Sequence, residues 1–459
     1  MGREGAGDWK ILLIFAMDGH QRPSRFIMDR RAFLKTAAAA SGAAMLGVWG
    51  ETAWAAGRGD KAVGRAWKGW KKGHFQVHFI YTGVAESMFL IFPDGTTMLL
   101  DCGDHNAIGR GKLAVPVLPS PDRHAGEWIA RYVQRVNPHG REVDYMMLSH
   151  YHSDHAGVPI FNAGYAEHDG ERICLSGFSH AAEFLTFRKA FDRAWPGFDD
   201  PIPVKDSNDS GCVGHMRAFY RYMQEHRGLQ VEKFRVGETG QVAMRHDPSR
   251  YPSFSVFNLC GNGRIAAPDG HITDLYEDIV AGGATALNEN GMSLGMILSY
   301  GPFRFFTAGD FSDRLTRKDG TAFQIEDELA KVCGPVNVAK LNHHGHYSMP
   351  ADLVSALRPQ VWVSCVWDQL HNVAPVMERL CDRTLYPGDR VVCPGIFPAE
   401  RRQEDAGSPW LDDIQPPCLD GAHIVLDVER GGKAYSVSCL DARDESMTVR
   451  SVLHFDARA

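Results

Sequence analysis

None of the 10 cysteines stands in a CxxC pair, which excludes a ribbon-type structural zinc site. Gly282-Gly283 and Gly261-Asn262-Gly263 are too sparse for a phosphate-binding loop and lack the Lys-Ser/Thr that would follow one. There is no internal repeat and no low-complexity tract beyond the first 56 residues, so solenoid and disordered classes drop out. Past residue 56 no apolar run reaches the roughly 20 residues that a membrane span needs. Positive charge is also short. The formal net charge is −7; without residues 1–55 it is −9, with 42 basic against 51 acidic side chains. A chain this acidic has no global field that attracts nucleic acid, and none is expected as a partner.

What is present is ordinary globular composition over 459 residues, 44% hydrophobic, enough for a substantial core without disulfide staples. Cys260 and Cys365 lie in apolar strand-like runs and read as buried free thiols; one or two disulfides stay open if the chain is exported. Export is what the N-terminus points to. Arg30-Arg31 precede Ala32-Phe33-Leu34-Lys35, then a mildly apolar run over 36–49, then the small-x-small site Ala53-Trp54-Ala55. This resembles a twin-arginine export signal, the route for proteins that fold before crossing the membrane. It implies a leader over 1–55 (an extension ahead of Met28 plus the signal) and a linker over 56–72. The mature chain is then expected to be periplasmic or secreted, passed on by the twin-arginine machinery and without a stable membrane span.

From residue 73 the pattern is strand-like. Phe75, Val77, Phe79 and Tyr81 alternate with Gln76, His78 and Ile80. Residues 89–92 and 97–101 flank Pro93-Asp94-Gly95 as a hairpin. Trp128, Ile129, Tyr132, Val133 and Val136 share a helical face, and 143–148 is a short apolar strand. Residues 181–191 and 215–224 read as helices around a Pro-, Gly-, Asp- and Ser-rich stretch, an apparent insertion near 190–230. Residues 296–300 and 303–307 form a hairpin that ends at Gly309-Asp310. A helix near 326–332, strands at 336–341 and 361–366, and a terminal hairpin of 424–428 with 434–439 complete the chain. Periodicity alone reads as mixed α and β, two sheets packed together with helices outside.

Histidine is the informative residue: there are 21, and they gather in two short clusters. The first is Ser149-His150-Tyr151-His152-Ser153-Asp154-His155, directly after the 143–148 strand. In extended backbone His150 and His152 share a face and can bind one metal, while Asp154 and His155 in the turn beyond can reach a second. Asp310 ends an apolar strand, where a buried carboxylate needs a cationic partner. The second cluster, Asn342-His343-His344-Gly345-His346, again follows a strand. Tyr151, Tyr347 and Ser348 are candidate cleft residues, and Trp367 reads as core packing.

Together with Tyr81-Thr82-Gly83-Val84-Ala85-Glu86-Ser87, Phe92-Pro93-Asp94-Gly95, Leu100-Asp101-Cys102-Gly103, Asn290 and Ser293, these pieces resemble the metallo-β-lactamase superfamily. Within it they are most similar to the branch of ComEC-type DNA-uptake proteins and secreted phosphorylcholine esterases. The resemblance covers roughly residues 73–370. It implies an α/β fold, the αββα sandwich of two mixed sheets face to face, over 73–459 with a C-terminal β-hairpin extension. It implies His150 and His152 on a first metal, Asp154, His155 and His344 on a second, and Asp310 bridging. His246, ahead of a strand-like run at 254–258, takes the third position on the first metal, with His215 and His180 as alternatives. Asp154 and His343 are the catalytic candidates, His343 binding a substrate oxygen or protonating the leaving group. Asp101 and Asp104 are expected to brace the metal loop.

The implied cofactors are two divalent ions, zinc foremost, with manganese or iron as alternatives. Held about 3.5–4 Å apart, such ions activate water as hydroxide and clamp both oxygens of an in-line displacement. The expected activity is hydrolysis of a small-molecule or cell-envelope phosphate ester, a diester or phosphocholine-like group. A carboxylic ester, lactone or β-lactam hydrolase with the same site is the alternative, and a non-catalytic metal-binding envelope protein a third.

Overall fold

Alternation sets the first layer. In the strand Phe75–Phe79, Phe75 and Phe79 face one way and His78 the other, yet all five residues are buried. Both faces of the sheet are therefore covered. The computed structural model describes residues 60–104, 115–205, 211–368 and 370–458, with the backbone of two short strands, Ile11–Leu13 and Phe26–Met28, paired antiparallel. Arg30, Arg31 and Ala53-Trp54-Ala55 lie outside the described residues. The chain divides into two units, Met1–Ala55 and Ala56–Ala459, and the fold of interest is the second.

Two large mixed sheets make up that unit. The first has nine strands in the order Gln230–Lys233, Thr186–Asp192, Glu142–Met147, Thr97–Leu100, Met88–Ile91, Phe75–Phe79, Ala422–Val428, Ala434–Asp441 and Val449–Asp456. The second has eight: Ile272–Asp274, Arg264–Ala266, Phe254–Gly261, Gly295–Tyr300, Phe303–Thr307, Val338–Lys340, Val361–Ser364 and Val391–Pro394. Aromatic contacts join them: Phe75 meets Phe254 at 5.2 Å between ring centroids, and Phe79 meets Phe305 at 5.8 Å. On the outer face of the first sheet lies the helix Ala125–Val136, whose Ile129, Tyr132 and Val133 pack with Phe89, Leu99 and Val143. His78 points into this layer, 3.0 Å from the Tyr132 hydroxyl, and burial pulls its imidazole down to about 3. The helices Ile325–Cys333, Ala351–Leu357 and Ala374–Cys381 are amphipathic in the same way, each with buried apolar residues along one stripe. Sheets inside and helices outside make an αββα sandwich. Among the described residues no helix is long and apolar enough to cross a membrane.

One expectation changes. Residues 181–191 are not a helix: only Phe178–Ala181 is helical, and Thr186–Asp192 is a strand. It pairs in parallel with Glu142–Met147 on one side and Gln230–Lys233 on the other, and this pairing overrides a spacing that a helix would also tolerate. The stretch near 190–230, read as an insertion, contributes to the sandwich. Its helix Cys212–Arg227 packs in the outer layer, and Gln230–Lys233 forms the sheet edge. The C-terminal hairpin forms as Ala422–Val428 and Ala434–Asp441. Ala422–Val428 pairs along its length with Phe75–Phe79, and a third strand, Val449–Asp456, follows. All 10 cysteines are free thiols.

Because Ala422–Val428 is internal to the sheet, truncating its core side chains should be costly. Leu426, fully buried, is expected to lose about 2–5 kcal/mol of stability on Leu426→Ala, read by urea unfolding. A surface-like loss under about 0.5 kcal/mol would mean the C-terminal strands are peripheral.

Candidate metal centre

The centre lies where strands of both sheets end. Asp101 follows Thr97–Leu100, residues 149–155 follow Glu142–Met147, Asp310 follows Phe303–Thr307, and His343 and His344 follow Val338–Lys340. The loops crowd one another. A side chain at Gly103 would put its Cβ 1.7 Å from the Asp154 carbonyl oxygen, so only glycine fits there. Asp101, His343 and His344 are non-glycine residues with φ of 59°, 45° and 48°. Such backbone costs roughly 1–3 kcal/mol per residue and persists only where surrounding contacts over-determine it.

Those contacts fix which nitrogen of each imidazole carries a proton. Asp101 accepts hydrogen bonds from the Ser149 backbone N–H and from Ser149 Oγ, both at 2.7 Å, and from His155 Nδ1 at 2.7 Å. With its one proton given to Asp101, Ser149 Oγ accepts from His150 Nδ1 at 3.0 Å. His344 Nδ1 lies 3.2 Å from Glu86 Oε2. Glu86 is itself held by Lys340 at 2.8 Å, and both are fully buried. When such a ring is neutral, as a metal ligand must be, its outer nitrogen keeps the proton and Nε2 is the lone-pair nitrogen turned inward.

What these nitrogens face are more lone pairs. His155 Nε2 and His344 Nε2 are 3.2 Å apart. His344 Nε2 is 3.2 Å from Asp154 Oδ2 and 3.4 Å from Asp310 Oδ2; His155 Nε2 is 3.3 Å from Asp310 Oδ1. On the other side His150 Nε2 meets His152 Nδ1 at 3.0 Å and Asp310 Oδ2 at 3.9 Å. Asp310 reaches both groups, and its buried Oδ1 has no hydrogen-bond donor. A knot of acceptors in a dry site needs positive charge at its middle. Burial opposes protonation of His155 and His344, yet Asp310 and its neighbouring carboxylates hold both imidazoles well above their ordinary value. Burial likewise opposes ionisation of Asp154 and Asp310, yet the same histidines hold both well below the usual carboxylate range. Imidazole and carboxylate in this arrangement are the donor set of catalytic divalent metals, and the residues fit them.

Of the expected ligands, His150, His152, Asp154, His155, Asp310 and His344 come together. His246 does not. Its Nε2 lies 3.1 Å from Asp144 Oδ2, at the start of the strand whose far end leads to His150. The pairing Phe254↔Tyr300 and Cys260↔Gly295 explains why: the end of Phe254–Gly261 adjoins the centre, and its beginning, next to His246, points away. The alternatives fail as well. His215 Nε2 is taken up by Ser179 Oγ and the Ser176 carbonyl, and the His180 ring packs near His124 and Phe184. Asp101 and Asp104 both brace the metal loop: the Asp104 backbone N–H donates to the Ser153 carbonyl at 3.3 Å, while its carboxylate pairs with His124 at 3.3 Å.

His343 turns away from its neighbour. It lies between Asn290 Nδ2 and Ser312 Oγ, each at 3.2 Å, and burial pulls its imidazole down to about 4. Trp367 is core, fully buried and stacked on Phe397 at 4.0 Å. Sequence reading missed Glu86 and Lys340 as parts of the centre. The available signal was Lys340 itself, a lone cation inside the apolar run 336–341, which cannot be buried without an anion.

Because Asp101 sets the tautomers, Asp101→Asn is expected to leave the fold intact and weaken zinc binding about 10–100-fold, the usual effect of losing such a partner. Zinc titration of the stripped protein reads this. Unchanged affinity would remove Asp101 from the centre.

No curated protein matches the chain. Residues 81–158 match the family model of the metallo-beta-lactamase superfamily, a stretch that includes Glu86, Asp101 and the whole 150–155 run. Two mixed sheets face to face with helices outside, together with this match at the metal loop, give the chain the αββα sandwich fold of the metallo-β-lactamase superfamily.

Proposed function

We propose that the chain is an exported metal-dependent hydrolase of phosphate esters, of the diester or phosphocholine-like class, holding two divalent ions. Zinc is the first choice of ion. The observation that carries the reading is the convergence of His150, His152, Asp154, His155, Asp310 and His344 on one buried centre, with Asp310 reaching both halves. Ions bound there would lower the pKa of a water and neutralise charge on the displaced oxygen.

The chain's own groups do the rest. Asp101 and Glu86 keep the ring nitrogens aimed, so the centre is organised before substrate arrives. His343, Asn290 and Ser312 form a polar wall beside His344. With its imidazole pulled down to about 4, His343 is neutral at pH 7. Its Nε2 accepts from the Asn290 amide and its Nδ1–H is directed at Ser312 Oγ, so it would give a hydrogen bond to a substrate oxygen only by exchanging Ser312 for it. A cavity of about 300 Å³ lined by Arg193, Val204, Lys205, Leu287, Glu289 and Met292 adjoins this wall. Glu289 accepts from the backbone N–H of Tyr151 at 3.0 Å, between the two first-site histidines, and binds Arg193 through both carboxylate oxygens. Arg193 is thereby neutralised, which leaves Lys205 as the cation for an anionic headgroup. That favours a phosphate ester over an uncharged lactone.

The metal held in this centre, read by elemental analysis as the amount the purified chain loses on Asp310→Ala, should be about two ions, as in other two-metal hydrolases. Asp310→Ala should deplete both positions and His344→Ala one. His343→Ala should keep both metals and lose roughly 10²–10³ in kcat, the range for one lost transition-state hydrogen bond. The reverse pattern, with His343→Ala depleted and His344→Ala loaded, overturns the assignment. For the substrate, bis-p-nitrophenyl phosphate and p-nitrophenyl phosphorylcholine should be turned over faster than a lactone or a chromogenic cephalosporin; the opposite ranking rejects the phosphate reading. Replacing Arg30 and Arg31 by Lys should retain the precursor in the cytoplasm, and mature protein in the periplasm would reject twin-arginine export.

A further inference from the structure

The residues that His246 joins form a group of their own. His139, Asp144 and His246 each offer a donor atom within 4.8 Å of the other two. The two imidazoles lie face to face at 4.7 Å between centroids, 35° from parallel, and both are exposed. Asp144 beneath them is buried. We propose that His139, Asp144 and His246 hold a third divalent ion, of the zinc class, at the end of the sandwich opposite the hydrolytic centre.

Four segments meet there, and each is pinned. Asp94 Oδ2 accepts the backbone N–H groups of His246 at 2.8 Å and Asp247 at 2.9 Å, and Thr96 Oγ1 accepts that of Arg245 at 2.7 Å. An exposed loop is thus locked against the hairpin at residues 94–97. His139 is held from the other side. Its Nε2–H donates to the Gly95 carbonyl at 2.9 Å, and a carbonyl can only accept. That fixes the tautomer and leaves Nδ1 as the lone-pair nitrogen, the arrangement in which a carbonyl orients a metal-binding histidine. The Asp144 carboxylate is oriented by Thr97, whose backbone N–H donates to Oδ2 at 3.0 Å, while Arg245 approaches Oδ1 at 3.7 Å. Oδ2 is therefore the oxygen turned to His246, at 3.1 Å.

The donor set selects the ion. Two imidazoles and one carboxylate suit zinc and its neighbours, whereas calcium and magnesium prefer all-oxygen sites. The open side faces solvent, so water completes the coordination. Three of the four segments belong to the first sheet and its turns, while the loop carrying His246 leads into Phe254–Gly261 of the second. The ion would tie the two sheets together, a stabilising clip with no part in hydrolysis. Asp144 is six residues from His150, about 20 Å along an extended chain. The two centres are therefore separate.

The test uses the full chain, stripped with chelator and equilibrated with zinc, beside the His139→Ala/His246→Ala double variant. The wild type should hold one more zinc per chain than the variant. Zinc should raise its Tm by more, and ester turnover should be the same in both. Equal zinc content overturns the proposal, whatever the total, so the outcome does not depend on how many ions the hydrolytic centre takes. Should the variant fold poorly, anomalous diffraction at the zinc edge from wild-type crystals decides: a peak among His139, Asp144 and His246 supports the site, and bare density there rejects it.

Discussion

Everything at the centre of this molecule depends on one electrostatic constraint: imidazole nitrogens and carboxylate oxygens crowd together in a buried site that needs positive charge between them, from protons on the rings or from a bound cation. His155 Nε2 and His344 Nε2 at 3.2 Å would repel as neutral rings, and Asp154 and Asp310 would repel as anions. A dry site raises the cost of every unpaired charge. Only a cation in the middle relieves all of these contacts at once. The arrangement survives because an outer layer refuses the alternatives. Asp101 occupies the protons of Ser149 and His155, and Glu86, anchored by Lys340, faces the outer nitrogen of His344. Binding strength is thus stored in residues that would never touch the ion.

The sandwich exists to hold that outer layer still. Asp101, Ser149, Asp310 and His344 follow four different strands, two from each sheet, and the strands are locked by the aromatic contacts between sheets. Lys340 lies on the second sheet and Glu86 in a loop of the first, so their ion pair also bridges the layers. Removing one member of a buried pair typically costs about 3–5 kcal/mol, because the other is left uncompensated. The same pair therefore secures both the fold and the direction of His344.

Much of this was legible in the chain. The 150–155 run assembled because its chemistry is local: a strand followed by a turn sets the spacing of His150, His152, Asp154 and His155 without help from distant residues. Asp310 and His344 could be placed because each ends an apolar strand. The failures share a cause. Thr186–Asp192 is a strand because of partners more than 40 residues away, and the C-terminal strands enter the first sheet beside Phe75–Phe79, over 300 residues earlier. His246 was assigned from its position before a strand, which says nothing about which end of that strand adjoins the centre. Antiparallel pairing with Gly295–Tyr300 decides that, and no local pattern encodes it.

One strand, Glu142–Met147, now separates two kinds of histidine–carboxylate cluster. Beyond its C-terminal end His150, His155, Asp310 and His344 are buried, His152 and Asp154 half-buried, and carboxylates from a second layer hold the rings of His155 and His344. Near its N-terminal end His139 and His246 are exposed, and a backbone carbonyl orients the ring of His139. The residue types are nearly the same, so composition does not distinguish the two. Burial does. A cation in the inner centre acts in a low dielectric, where its field on a substrate oxygen is several times stronger than at the surface. A cation at the outer cluster would be screened by water and could do little more than join the segments around it. Chemistry belongs at the first end and stability at the second, and the difference follows from depth alone.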